Sequence, residues 1–305
     1  MRIYVAGHNG MVGSSITRLL DRKGEHSWIG ASRQELDLAD RGKVFDFIQG
    51  HSPDAVIIAA AKVGGIVANN TYPVDFLSEN LQIQTNLLDA SHAAGVERLV
   101  FLGSSCIYPK YANQPITEDS LLTGELEPTN EPYALAKIAG LKLVQAYRKQ
   151  FGKEWISLMP TNLYGPGDNY DPENSHVIPG MIVKFCNAKK TKLPSVTLWG
   201  TGAPLREFLH VDDLASATLF ALENYQGETP LNVGSGEEVS IRELAQAVKD
   251  AVGYEGEIVW DSQRPDGTPR KLLDSSKLEE LGWKPSLRLR AGLERTVANL
   301  PFECS

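Results

Sequence analysis

The residues Ile3-Tyr4-Val5-Ala6 run directly into Gly7-His8-Asn9-Gly10-Met11-Val12-Gly13, and a helix-forming stretch from Ser14 to Arg22 follows. A short apolar strand, a glycine turn and a helix in that order leave few folds open. Glycines at G-x-x-G-x-x-G spacing permit a tight turn, let backbone approach a diphosphate and let the helix pack closely on the strand. The helix N-terminus adds partial positive charge at the same point. A glycine turn by itself serves equally well as plain connection. Its place directly after the first strand gives it weight as a dinucleotide site.

Further apolar runs, each bounded by turn residues, follow at Ser27–Gly30, Ala55–Ala60 and Arg98–Gly103. Between them lie helical stretches at Arg41–Gln49 and from about Val74 to Ala94. Repeated strand and helix alternation with near-continuously apolar strands predicts a Rossmann-type doubly wound parallel sheet in the α/β class. The expected organisation is a dinucleotide-binding domain over residues 1–165, joined by a returning helix and strand from about 209–235. A smaller α/β substrate lobe takes most of 166–305. Helices are expected there at Ile178–Ala188, Val239–Val252 and Asp274–Leu281.

The 305 residues are 42% hydrophobic and 22% charged, enough to bury a sizeable core and fill two lobes. A formal charge of −8 argues against a general binder of nucleic acid or anionic membrane. The chain opens straight into a strand pattern with no apolar leader, and no run is long enough to cross a bilayer, so cytoplasmic residence is expected. The three cysteines, Cys106, Cys186 and Cys304, are odd in number and far apart. They are read as free thiols in a reducing compartment. The histidines show no metal-like clustering, and no metal is expected.

Chemistry concentrates at a few positions. In Glu131-Pro132-Tyr133-Ala134-Leu135-Ala136-Lys137, Thr129 or Asn130 can cap a helix that Pro132 enters in its first turn. Tyr133 and Lys137 then share one face, a turn apart. A neighbouring ammonium and a cationic cofactor favour the phenolate, which brings proton transfer to or from a carbonyl oxygen within reach at neutral pH. Ser104, at the carboxyl end of the strand Arg98–Gly103, stands where open α/β sheets hold ligands. Extended geometry sends Ser104 and Cys106 to the same side. Cys106 reads either as packing or as a thiolate base beside a cation. After the second strand, Ala31-Ser32-Arg33 carries a positive charge where an NAD-selective fold places an acid. Arg33, with Ser32 and Asn9, suits a 2′-phosphate, so NADP(H) is the expected cofactor. Asp37-Leu38 follow as a loop suited to the adenine edge.

Taken together, the glycine motif, Ser104, Tyr133, Lys137 and Asn162-Leu163-Tyr164-Gly165-Pro166 make the chain resemble the extended short-chain dehydrogenase/reductase family. Its members that act on GDP-linked sugars are resembled more narrowly. The stretches that carry this are Ala61-Lys62-Val63-Gly64-Gly65-Ile66, Gly103-Ser104-Ser105-Cys106-Ile107-Tyr108-Pro109, Glu127-Pro128-Thr129-Asn130-Glu131-Pro132-Tyr133 and Asn174-Ser175-His176-Val177-Ile178-Pro179. The resemblance covers essentially the whole chain. It implies 3,5-epimerisation followed by NADPH-dependent 4-reduction of a GDP-linked 4-keto-6-deoxy sugar, performed by a homodimer whose helices around 81–94 and 133–147 pack across the interface. It implies Cys106 as the base and His176 as the acid of epimerisation, and Ser104, Tyr133 and Lys137 as the reductive constellation. Cofactor contacts implied are Gly7, His8, Asn9, Gly10, Met11, Val12, Gly13, Arg33, Asp37, Leu38, Leu102, Gly103, Lys137, Pro160, Asn162, Leu163 and His176. Substrate contacts implied are Lys184, Trp199, Arg206 and Asp266, the last in the loop Arg264–Lys271. Two other readings stay open: another nucleotide-sugar epimerase or dehydratase with retained NAD, and a dinucleotide sensor without chemistry.

Overall fold

The apolar runs become strands buried on both faces, with Ile3 and Val5 facing one layer of helices and Tyr4 and Ala6 the other. The computed structural model describes residues 1–171, 175–264 and 266–304; Asn174 and Pro265, which belong to two of the stretches above, lie outside the described residues. In chain order the elements are β1 (Arg2–Ala6), α1 (Met11–Lys23), β2 (Ser27–Ile29), α2 (Arg41–His51), β3 (Ala55–Ile58), α3 (Ile66–Thr71), a π-helical turn (Asp75–Glu79) and α4 (Asn80–Ala93). Then come β4 (Arg98–Leu102), α5 (Glu131–Phe151), β5 (Glu154–Pro160), β6 (Asn162–Tyr164), α6 (Val177–Thr191), β7 (Ser195–Trp199), β8 (Leu205–His210) and α7 (Val211–Asn224). The chain closes with β9 (Leu231–Val233), β10 (Glu238–Ser240), α8 (Ile241–Val252), β11 (Glu257–Asp261), β12 (Arg270–Lys271), α9 (Ser276–Glu280) and α10 (Leu289–Ala298).

Six parallel strands form the main sheet in the order β2-β1-β3-β4-β5-β9. The order reverses at β1, which places a crevice outside the carboxyl ends of β1 and β3. Ile16 and Leu20 of α1 and Leu214 and Leu219 of α7 fill one face. Val44 and Ile48 of α2, Leu87 of α4 and Leu141 of α5 fill the other. This is a Rossmann-type doubly wound sheet, the fold class expected from the sequence.

A third core joins Ile182 and Phe185 of α6, Leu244 and Val248 of α8 and Leu293 of α10. Within this smaller α/β lobe β8 pairs with β10, β12 and β6, and β7 pairs with β11. Ser240 and Glu243 form a reciprocal capping box that starts α8. No described helix is long and apolar enough to cross a membrane.

The cysteine reading needs correction. Cys186 and Cys304 form a disulfide, with Cα atoms 4.7 Å apart across 118 residues of sequence. Spacing along the chain could not reveal it, because the segment after α10 returns to α6 only through the third core, where Leu300 and Cys304 pack. Cys106 is the one free thiol among the described residues.

Candidate active site

The turn after β1 depends on glycine at two positions. Gly7 has φ +87°, and a Cβ there would meet the Ala60 backbone nitrogen at 2.7 Å. A Cβ on Gly13 would overlap the Gly7 carbonyl. Gly10 caps α1 without a side-chain hydrogen bond, so the first amides of the helix are left for another acceptor. Close backbone approach, small residues at the end of β3 and a free helix N-terminus fit a dinucleotide diphosphate.

The region after β2 differs in one respect from expectation. Ser32 donates both its backbone N–H and its hydroxyl to Glu35 Oε2, at 2.7 and 2.8 Å, so it is already engaged. These bonds hold the Glu35 carboxyl below its ordinary pKa. Arg33 stands exposed at this turn, a cation without an ion-pair partner among the described residues and suited to a phosphate. Asp37 accepts from the Ala39 amide, and the Leu38 carbonyl from Asn86.

At the carboxyl end of β4 the chain does not stay extended. Ser105–Ile107 form a 3₁₀ turn, because Ser104 Oγ accepts from the Cys106 amide at 3.2 Å. The turn still delivers Cys106 and Ser104 beside Tyr133, close enough for both to act on its phenol. Lys137, buried one turn along α5, donates to the Leu102 carbonyl at 2.8 Å and lies 5.9 Å from the Tyr133 ring centroid. Burial pushes its pKa down to about 8. Burial raises the Tyr133 phenol, the neighbouring Cys106 raises it further, and the Ser104 hydrogen bond opposes both.

Two partners of Cys106 went unread in the sequence. Asn130 Nδ2 lies 3.3 Å from its sulfur, and Lys271 Nζ lies 3.9 Å away. Asn130 was legible only as a helix cap, and Lys271 only as one cation in a polar loop. Thr268 of that loop donates to Glu127, which also pairs with Lys110 at 2.9 Å, so the loop is tied to the segment that starts α5.

His176 caps α6 without a side-chain bond to the helix. Its ring is reached by solvent yet walled by protein, and that crowding lowers its pKa. It is not among the residues lining the cavity at Cys106. In the smaller lobe, Trp199 is 60% exposed, with Lys184 Nζ 5.7 Å and the Arg264 guanidinium 5.0 Å from its ring centroid. Burial lowers the pKa of Lys184 and of Arg206, the latter opposed by Glu127. Asp266 commits both carboxylate oxygens to Thr201, one to the backbone N–H at 2.7 Å and one to the hydroxyl at 2.8 Å. It therefore secures the turn that follows Trp199.

Residues 3–234 match the model of the NAD dependent epimerase/dehydratase family. The chain is 58% identical over 295 residues to GDP-L-fucose synthase 1 of Arabidopsis thaliana, covering 97% of this chain and 91% of the relative. It is 52% identical over 304 residues to GDP-L-fucose synthase of Escherichia coli (strain K12), covering 97% and 95%. Among solved structures it resembles a GDP-L-fucose synthetase from Naegleria fowleri bound to NADP, with TM-score 0.90, 29% identity and coverage of 97% of this chain and 92% of the other.

Proposed function

The chain belongs to the NAD dependent epimerase/dehydratase family, and on that premise we propose that it converts GDP-4-keto-6-deoxy-D-mannose to GDP-L-fucose by 3,5-epimerisation and NADPH-dependent 4-reduction. The observation that carries the reading is a thiol with an amide donor at 3.3 Å and a lysine at 3.9 Å, standing beside Tyr133 and Ser104. A ketone reductase needs only the tyrosine and lysine. The thiol adds a base suited to the acidic carbons that flank a ketone.

In the first half, the Cys106 thiolate takes the proton from a carbon next to the ketone. The C–H electron pair moves into the enolate, and His176 returns a proton to the opposite face. In the second half, Tyr133 gives its proton to the C4 oxygen, Ser104 positions that oxygen and the Lys137 ammonium favours the resulting phenolate. A bound NADPH would supply the hydride. The amides from Gly7 to Gly13 would hold its diphosphate and Arg33 its 2′-phosphate, which favours NADP(H), and Asp37 and Leu38 would stand at the adenine. Lys184 and Arg206 take the diphosphate of the sugar nucleotide and Trp199 its base.

The proposal includes division into a cofactor domain over 1–165 and a substrate lobe over 166–305, a homodimer through α4 and α5, and cytoplasmic residence. Sedimentation tests the dimer, and cell fractionation tests the compartment. For the reaction, purified protein is mixed with GDP-4-keto-6-deoxy-D-mannose and either NADPH or NADH, and the product configuration is read by NMR. GDP-L-fucose formed in step with NADPH consumption, faster than with NADH, is expected. A product retaining the manno configuration, or turnover without added cofactor, contradicts the reading.

A further inference from the structure

We infer that Asn130 is a positioning residue for the Cys106 thiolate, an inference that rests on the base role proposed for Cys106. Asn130 occupies the N-cap of α5, where an asparagine side chain ordinarily accepts a hydrogen bond from an amide of the first turn. Here it makes no such bond. Its amide turns to the sulfur instead, with Nδ2 3.3 Å from Cys106 Sγ, and its Oδ1 is buried without a partner among the described residues. An uncapped helix start and an unsatisfied acceptor both cost stability. Sequences keep such local conflicts where function requires them.

The groups around the sulfur show what the amide adds. Lys271 approaches from the smaller lobe at 3.9 Å, and the Tyr133 phenol lies on the same helix as Asn130. Lys110, Glu127 and Arg270 line the same cavity, Lys110 paired with Glu127 and Arg270 with Glu238. Lysine brings charge on a flexible stem. Asn130 brings an uncharged donor fixed at the start of a long helix, so it gives the sulfur direction. As Cys106 acts, the C–H bond breaks, an S–H bond forms and the electron pair passes to the enolate oxygen. The amide donor stabilises the sulfur before that transfer, while it is anionic, and holds it on one line of approach.

Serine and aspartate cap helices as well as asparagine does, but neither reproduces the amide donor. Wild type, Asn130→Ser and Asn130→Asp are compared in four measurements. These are deuterium uptake beside the ketone of GDP-4-keto-6-deoxy-D-mannose in heavy water without NADPH, alkylation of Cys106 by iodoacetamide at pH 7, the unfolding midpoint, and NADPH binding by fluorescence. Asn130→Ser is expected to slow both deuterium uptake and alkylation about tenfold, with the midpoint and NADPH binding unchanged. Asn130→Asp is expected to slow them further, since a carboxylate repels the thiolate. Wild-type rates in Asn130→Ser overturn the inference, as does parallel loss of the midpoint and of NADPH binding. Faster alkylation in Asn130→Ser overturns it too, because the amide oxygen would then be what faces the sulfur. Absence of deuterium uptake in wild type contradicts the role of Cys106 itself, and the alkylation rates still decide the role of Asn130.

Discussion

Tyr133 is subject to opposing influences that the spacing Tyr133-x-x-x-Lys137 does not disclose. The spacing puts a cation one turn away, but burial of the phenol works against ionisation and the nearby sulfur adds to it. Lys137 is itself buried, with its pKa pushed down to about 8, so it is charged at neutral pH and loses the charge as pH rises through that value. A neutral lysine no longer favours the phenolate. The reductive rate is therefore expected to decline above about pH 8, and Lys137→Met to be slower by about 10²-fold and to lack that decline; a wild-type rate constant from pH 7 to 9.5 contradicts this. Asp266 illustrates a different limit of sequence reading. An Asp-Gly pair in a polar loop reads as a ligand contact or a turn, whereas the structure shows its carboxylate spent on Thr201. Asp266→Ala should loosen the turn behind Trp199, raising KM for the sugar nucleotide about tenfold with kcat nearly unchanged; initial-rate kinetics check this, and an equal loss in kcat places Asp266 at the reacting atoms instead. Lys271 was illegible for a simpler reason, since 165 residues separate it from the sulfur it faces.

Among elements, those with strong internal periodicity were legible and those defined by a partner were not. The strand, turn and helix of β1 and α1, the apolar runs of β3 and β4, and the capped start of α8 each carry a local signal. The two-stranded pairing of β7 with β11 and the helix α10 carry little, because their apolar residues have meaning only against the third core. The 3₁₀ turn at Ser105–Ile107 was misread as extended, since a serine that caps its own neighbour competes with the strand. The disulfide between α6 and the segment beyond α10 belongs to the same class of feature. Reducing it releases a closure of 118 residues, which is expected to cost about 2–5 kcal/mol of stability. Alkylation under denaturing conditions should then count three thiols in place of one, and the unfolding midpoint should fall by several degrees. Three reactive thiols before reduction would contradict the pairing.

For the molecule as a whole, the alternation of apolar strands and helices foretold a parallel sheet wound on both faces, and the sheet order places its crevice at β1 and β3. What alternation does not state is how the chain crosses between lobes. The segment after β6 carries a consequence for global stability. Asp168 is largely enclosed, its Oδ2 is buried without a partner among the described residues, and burial raises its pKa to about 7. Between about pH 4 and pH 7 the folded protein then binds more protons at this group than the unfolded chain does, so stability falls as pH rises through that interval. Asp168→Asn should flatten this part of the curve, and unfolding midpoints at pH 5 and pH 7.5 check it; equal slopes for the two proteins contradict the assignment. The central claim is that one site performs two separable reactions, with the thiol serving proton transfer and the tyrosine serving reduction. Incubating Cys106→Ser and Tyr133→Phe with GDP-4-keto-6-deoxy-D-mannose in heavy water, with and without NADPH, tests it most directly. Tyr133→Phe is expected to take up deuterium at C3 and C5 while losing reduction, and Cys106→Ser to lose deuterium uptake. Wild-type uptake in Cys106→Ser, or wild-type reduction in Tyr133→Phe, would contradict the account.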